Sequence, residues 1–136
     1  MKSLLISSFV FLAWNLNGQS ITIGTISNSI PLITNQSGAR DLIQRYNPDA
    51  KEINSMRIQW SREENAFLLI ANIEGDRPAV KAYTLTQNGS VLSGGNGGIS
   101  EISCQSDKCI ECDMINDVCS CKSGSQACYK TKRPIL

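Results

Sequence analysis

Six cysteines lie between Cys104 and Cys128, spaced Cys104-x4-Cys109-x2-Cys112-x6-Cys119-x-Cys121-x6-Cys128, in a chain of 136 residues that contains no histidine. Thiols at this density can cross-link to one another, hold a soft metal, or exchange electrons. Hydrolysis by Ser-His-Asp or Cys-His machinery is excluded, because the side chain that most often serves as general base is missing. Compartment and local context separate the remaining uses.

The amino terminus speaks to compartment. Lys2 precedes an apolar run from Leu4 to Trp14, and small or polar residues follow around Asn17 and Gly18. This is the three-part layout of a secretory leader, and about eleven apolar residues are too few to span a bilayer core of roughly 30 Å. Cleavage is expected between Gly18 and Gln19, which makes residues 1–18 a signal peptide. The mature chain is then expected to be secreted or periplasmic, with no membrane span. Loss of Lys2 would leave 12 basic and 12 acidic residues, so charge points to neither nucleic acid nor an anionic membrane as partner.

In an exported chain an even set of closely spaced cysteines reads as a disulfide framework. The residues between them are mostly Gln, Ser, Asp, Lys, Glu and Gly, with only Ile110, Met114, Ile115 and Val118 to bury. Burial alone would not offset an ordering cost of about 1–2 kcal/mol per residue, whereas closing a loop of about 15 residues contributes roughly 3 kcal/mol. Cys104, Cys109, Cys112, Cys119, Cys121 and Cys128 are therefore expected to form three disulfides, with no catalytic residue, cofactor or resident metal. Fifteen pairings are open, although Cys119 and Cys121, one residue apart, should reach different partners.

Three sharper readings compete. Cys104-x4-Cys109-x2-Cys112 has the spacing of a plant-type ferredoxin loop, but a distant fourth ligand and the chain to build that fold are missing. A zinc knuckle from Cys109, Cys112, Cys119 and Cys121 is a related possibility, opposed by oxidation during export. Cys109-Ile-Glu-Cys112 could act as a redox pair only at a helix amino terminus in a βαβ setting, and no such setting is predicted. Finally, Glu63, Glu64, Glu74 and Asp76 could supply paired carboxylates for glycoside hydrolysis, yet charged turn residues are usually just solvated.

The elements around these residues divide the chain. Residues 19–92 are cysteine-free and read as an α+β module. Ser37 is a suitable helix cap, and Ala39, Leu42, Ile43 and Tyr46 gather on one face of a helix that Pro48 should stop at Asn47. Met56, Ile58 and Trp60 alternate with polar residues as a half-buried strand, and Ala66–Ile73 is apolar on both faces like a central one. Arg62–Asn65 and Glu74–Pro78 are turns, Ala79–Thr86 a further strand, and Asn88-Gly89 a type I′ hairpin before Val91 and Leu92. The expected fold is one helix on a three- or four-stranded antiparallel meander, with Ile21–Ile26 as an additional edge strand. Residues 93–103 form a glycine-rich linker, residues 104–128 a cysteine-rich knot, and residues 129–136 a flexible, solubilising tail. The glycines of the linker lack the spacing and the Lys-Ser/Thr of a phosphate loop.

The wording RYNPDAKEIN at the helix exit and TQNGSVL at the last hairpin resembles small PepSY-like or beta-lactamase-inhibitor-protein-like exported modules over residues 37–92. That resemblance implies a non-enzymatic domain that binds or restrains a protein such as a peptidase, and assigns no functional residue. Cys119-Ser-Cys121-Lys-Ser-Gly124 resembles the centre of an EGF-like module, with shorter loops. The pairing it implies is Cys104–Cys112, Cys109–Cys119 and Cys121–Cys128.

Asn35-Gln-Ser37 and Asn88-Gly-Ser90 match the N-glycosylation acceptor. Trp60 reads as core. The sequence as a whole predicts an exported, non-enzymatic protein-binding or inhibitory module with the stapled segment as contact surface; the alternative is a metal or Fe–S carrier built on the same cysteines.

Overall fold

The computed structural model describes residues 20–75, 78–95, 97 and 99–135, so the expected leader, its cleavage point and Asp76 lie outside the described residues. Among the described residues the chain is α+β and mostly β: one helix, α1 (Gln36–Tyr46), and eleven strands in antiparallel sheets. No helix among the described residues is long and apolar enough to cross a membrane.

The central layer is a five-stranded sheet built from β3 (Glu52–Ser61), β4 (Ala66–Glu74), β5 (Ala79–Thr84), β8 (Ile99–Gln105) and β11 (Tyr129–Ile135), in the order β11-β8-β5-β4-β3. The meander expected from the sequence is its β3-β4-β5 half. Sequence alternation explains why β4 sits inside: Leu69, Ala71 and Ile73 enter the core on one face, while Leu68 and Ile70 enter a separate core on the other.

The first face is covered by α1 and by a four-stranded sheet of β1 (Ile21–Ser27), β2 (Ile30–Ile33), β6 (Thr86–Asn88) and β7 (Val91–Gly94), ordered β2-β1-β7-β6. Ala39, Leu42 and Ile43 of the helix are fully buried with Ile23, Leu85 and Leu92, the periodic face predicted from the sequence. Asn35, rather than Ser37, caps the helix: its Oδ1 accepts from the Gly38 backbone N–H at 3.0 Å. Asn47 ends it, as the following proline requires.

Several expectations are corrected. Ile21–Ile26 belongs to an interior strand, because β2 and β7 flank it. The chain changes sheets at Leu85, whose N–H still donates to Phe67 O at 2.8 Å, so Ala79–Thr86 is two strands rather than one. In the β6–β7 turn only Gly89 has positive φ, at 62°, and Asn88 is paired with Val91; glycine at the first central position is the pattern of a II′ turn, not I′. Trp60 is 44% exposed, since β3 is an edge strand and the ring lies beyond the core, edge-on to Phe67.

Strands also occupy most of the described residues of the linker and the tail. Ser93 and Gly94 close β7 and Ile99 opens β8, so little chain is left to act as a hinge. A Cβ on Gly94 would stand 2.7 Å from Leu42 Cδ2, which shows that the glycine permits close approach of the helix. Residues 129–135 pair with β8 along their full length, from Tyr129↔Gln105 to Ile135↔Ile99. Their cations find partners: Lys130 pairs with Glu63, Lys132 with Glu64 and Arg133 with Glu101.

Candidate functional site

The second face of the central sheet carries the cysteine segment. A hairpin of β9 (Cys112–Ile115) and β10 (Val118–Cys121) turns at Asn116 and Asp117, both with positive φ, which is the I′ geometry expected of a tight two-residue connection. Cys104, Cys109, Cys112 and Met114 are buried against Leu68, Ile70, Val80, Ala82 and Ile102. The segment therefore rests on the sheet, with its cross-links at the contact.

All six predicted cysteines are in disulfides: Cys104–Cys119, Cys109–Cys121 and Cys112–Cys128. Each cysteine bonds the one three places further along the series, a set different from that implied by the EGF-like resemblance. Cys119 and Cys121 take different partners, as their spacing required. Cys109 and Cys112 are not joined to each other, so the bond on which a CxxC redox cycle turns is absent. The Sγ atoms of Cys109, Cys112 and Cys128 lie within 4.8 Å of one another. Each is spent in a disulfide, and a zinc or iron–sulfur site would need them as thiolates.

The hairpin is tied to the edge strand by polar contacts. Asp117 Oδ1 accepts from Ser61 Oγ at 2.5 Å and its Oδ2 from Arg62 N at 3.0 Å, while Gln59 Nε2 donates to Asn116 Oδ1 at 2.9 Å. Arg57 donates to the carbonyl of Met114 and lies 3.5 Å from Asp113 Oδ1. Burial pushes the Asp117 carboxyl up, but the Ser61 hydroxyl, the Glu63 and Arg62 amides and the Lys130 charge outweigh it, and the net shift is downward. The carboxylates considered for hydrolysis are likewise engaged: Glu63 with Lys130, Glu64 with Lys132, and Glu74 Oε1 with Asn54 Nδ2 at 3.1 Å.

Aliphatic side chains project from this stapled scaffold. Ile110, between Cys109 and Cys112, is 81% exposed, and Ile115 and Val118 flank the hairpin turn in the open. Beside Ile110 lies a hollow of about 330 Å³, walled by Asn72, Ile73, Glu74, Pro78, Val80 and Glu111 among others. The Oδ1 of Asn72 in that wall is buried and accepts no hydrogen bond among the described residues.

On the opposite face, Tyr83, Glu101 and Arg133 stand in register across β5, β8 and β11. Glu101, only 3% exposed, accepts from Tyr83 Oη and Arg133 Nε, each at 2.7 Å, and Lys81 Nζ is 3.9 Å away. Asn47 Nδ2 donates to Tyr83 Oη at 2.6 Å. Burial raises the Glu101 carboxyl, but Arg133, Tyr83 and Lys81 together bring it below its usual range. The Tyr83 phenol is pushed far up by burial and by Glu101. The signal for this row is present in ISEISC, where Glu101 and Ser103 occupy one side of an alternating strand whose other side is Ile102 and Cys104. A charge at an inward position needs partners, and the partners come from distant strands that the sequence does not align.

The acceptor motifs differ in use. Asn35 spends its side chain inside the fold, its Nδ2 donating to Thr22 O at 2.8 Å, whereas Asn88 lies exposed at the β6–β7 turn. The chain matches no protein-family model, and no curated protein or solved structure is significantly similar to it.

Proposed function

We propose that this is an exported, non-enzymatic protein-binding module of the inhibitory kind, whose contact surface is the stapled segment around Ile110. The observation that carries the reading is Ile110 itself: an aliphatic side chain 81% exposed on a loop whose two flanking cysteines are fixed by different disulfides. An anchor held this way loses little conformational freedom on association, which is what favours a preorganised contact. The adjacent hollow, with an Asn72 Oδ1 that has no partner among the described residues, offers a place for a donor group from the partner. Three disulfides are at home in an oxidising compartment, which supports secretion or a periplasmic location.

The test places a photo-crosslinking p-benzoylphenylalanine at position 110, and separately at Thr22 on the far sheet, of the exported chain. Cross-linking from position 110 to a discrete protein of the surrounding medium, competed by unlabelled wild type but not by Ile110→Asp, is the expected result. Equal capture from both positions, or none that competes, removes the proposal. The metal-carrier alternative rests on the convergence of the Cys109, Cys112 and Cys128 sulfurs. It requires the exported protein to take up alkylating reagent without prior reduction, a shift that intact mass detects directly.

A further inference from the structure

On the helix-bearing face, strands β5, β8 and β11 extend past the part that α1 covers and leave a hollow of about 330 Å³ lined by Lys81, Glu101, Ser103, Gln105, Thr131, Lys132 and Arg133. Lys81, Ser103 and Thr131 are directly opposed across the three strands, one step along from the Tyr83, Glu101, Arg133 row, so both rows share a face.

The hydrogen-bond inventory of this hollow is lopsided. Lys81 Nζ donates to Ser103 Oγ at 2.7 Å, which leaves the Ser103 O–H with no acceptor among the described residues, although the residue is 94% buried. Arg133 spends Nε on Glu101, and neither of its Nη groups has a partner among the described residues. Thr131 adds a hydroxyl from the edge strand. Charge is lopsided too. Lys132 is neutralised by Glu64, 2.7 Å away, so Lys81 and Arg133 face the single carboxylate of Glu101 and leave one positive charge in excess.

We infer that this hollow is a binding site for a monocarboxylate, held by the open fork of Arg133 and the hydroxyls of Ser103 and Thr131. A planar guanidinium edge matches two carboxylate oxygens, and one negative charge balances the wall where a phosphate dianion would exceed it. Lys81 acts here as donor to Ser103 and counter-ion to Glu101, an arrangement that orients the serine hydroxyl without activating it as a nucleophile. Glu101 is the positioning residue: buried and unable to leave, it fixes Arg133 through Nε and turns the rest of the fork outward.

The test is titration of the full-length mature chain, followed by amide and arginine-Nε NMR, with acetate, N-acetylglycine, N-acetylglycinamide and inorganic phosphate. Both carboxylates should give saturable shifts at Ser103, Thr131 and Arg133, and the neutral amide none. Tighter binding of N-acetylglycine would identify a peptide carboxyl terminus as the source; equal binding would identify a free small acid. Arg133→Lys should weaken binding about tenfold by removing the fork while retaining the charge, and Thr131→Val should weaken it a few-fold without touching Glu101. Absence of saturable shifts in the folded protein, an equal response to the amide, or tighter binding of phosphate would overturn the assignment.

Discussion

Asp117, in the turn of the cysteine hairpin, holds Ser61 at the end of β3, the serine hydroxyl donating to its carboxylate at 2.5 Å across 56 residues of sequence. The same carboxylate receives the amide of Arg62, and Ser61 Oγ in turn accepts from Glu64 N at 3.0 Å, so one side chain organises both the β9–β10 turn and the β3–β4 turn. Asp117→Ala should destabilise the protein by about 1–3 kcal/mol, the range for losing hydrogen bonds to a charged group. Ser61→Ala should cost less, and the double variant less than the sum of the two. Urea denaturation of the four proteins measures that coupling; strict additivity would show that the two residues stabilise separate things.

The pH dependence follows from the same contacts. The carboxyls of Asp117 and Glu101 both sit below their ordinary range in the folded chain. A folded value lower than the unfolded one contributes stability above the unfolded value, roughly pH 4, and loses it as pH falls through the folded value. Urea midpoints should therefore hold steady near neutrality and fall below about pH 4–5. Asp117→Asn and Glu101→Gln should each be less stable at neutral pH and show a shallower acid decline than wild type. An unchanged acid slope in both would mean that other groups govern acid unfolding.

The three disulfides make a prediction about pairing and another about energy. Digestion without reduction should yield peptides joined as Cys104–Cys119, Cys109–Cys121 and Cys112–Cys128, read by mass. Each bond closes a loop of 12 to 16 residues, so removing one pair as a double alanine variant should cost about 3 kcal/mol on chain-entropy grounds. The Cys104–Cys119 pair should cost most, because Cys104 is fully buried on β8 against the sheet core and its loss also leaves a cavity.

The elements legible in the sequence are those set by local periodicity. The helix face of Ala39, Leu42 and Ile43 and the two-sided burial of β4 follow from spacing alone, as does the oxidised state of the cysteines from their number and context. What the sequence concealed depends on partners far along the chain. Gly94 belongs to a run that suggests a loose hinge, yet its missing side chain makes room for Leu42. Lys130, Lys132 and Arg133 look like a solvated tail until Glu63, Glu64 and Glu101 are brought alongside. The apolar poverty of the knot suggested that cross-links replace a core; the structure adds that Leu68, Ile70, Val80, Ala82 and Ile102 lend it one. Asn116-Asp117 is not singled out by the sequence reading, and the role of Asp117 as clamp depends on Ser61 being in position.

That borrowed core sets up a contrast between two isoleucines eight residues apart. Ile102 is 1% exposed, on β8 beneath the hairpin, and packs with Cys104 and Met114. Truncation to alanine should cost about 2–4 kcal/mol, the transfer of its lost methyl and methylene groups plus the cavity left under the disulfides. Ile110 stands in solvent on a loop fixed by Cys109 and Cys112, and Ile110→Ala should change stability by no more than about 0.5 kcal/mol. Thermal unfolding of both variants, under oxidising conditions that keep the three bonds intact, measures the difference. A large loss for Ile110→Ala would mean that the side chain supports the fold, and it would then be unavailable as the anchor of a protein contact.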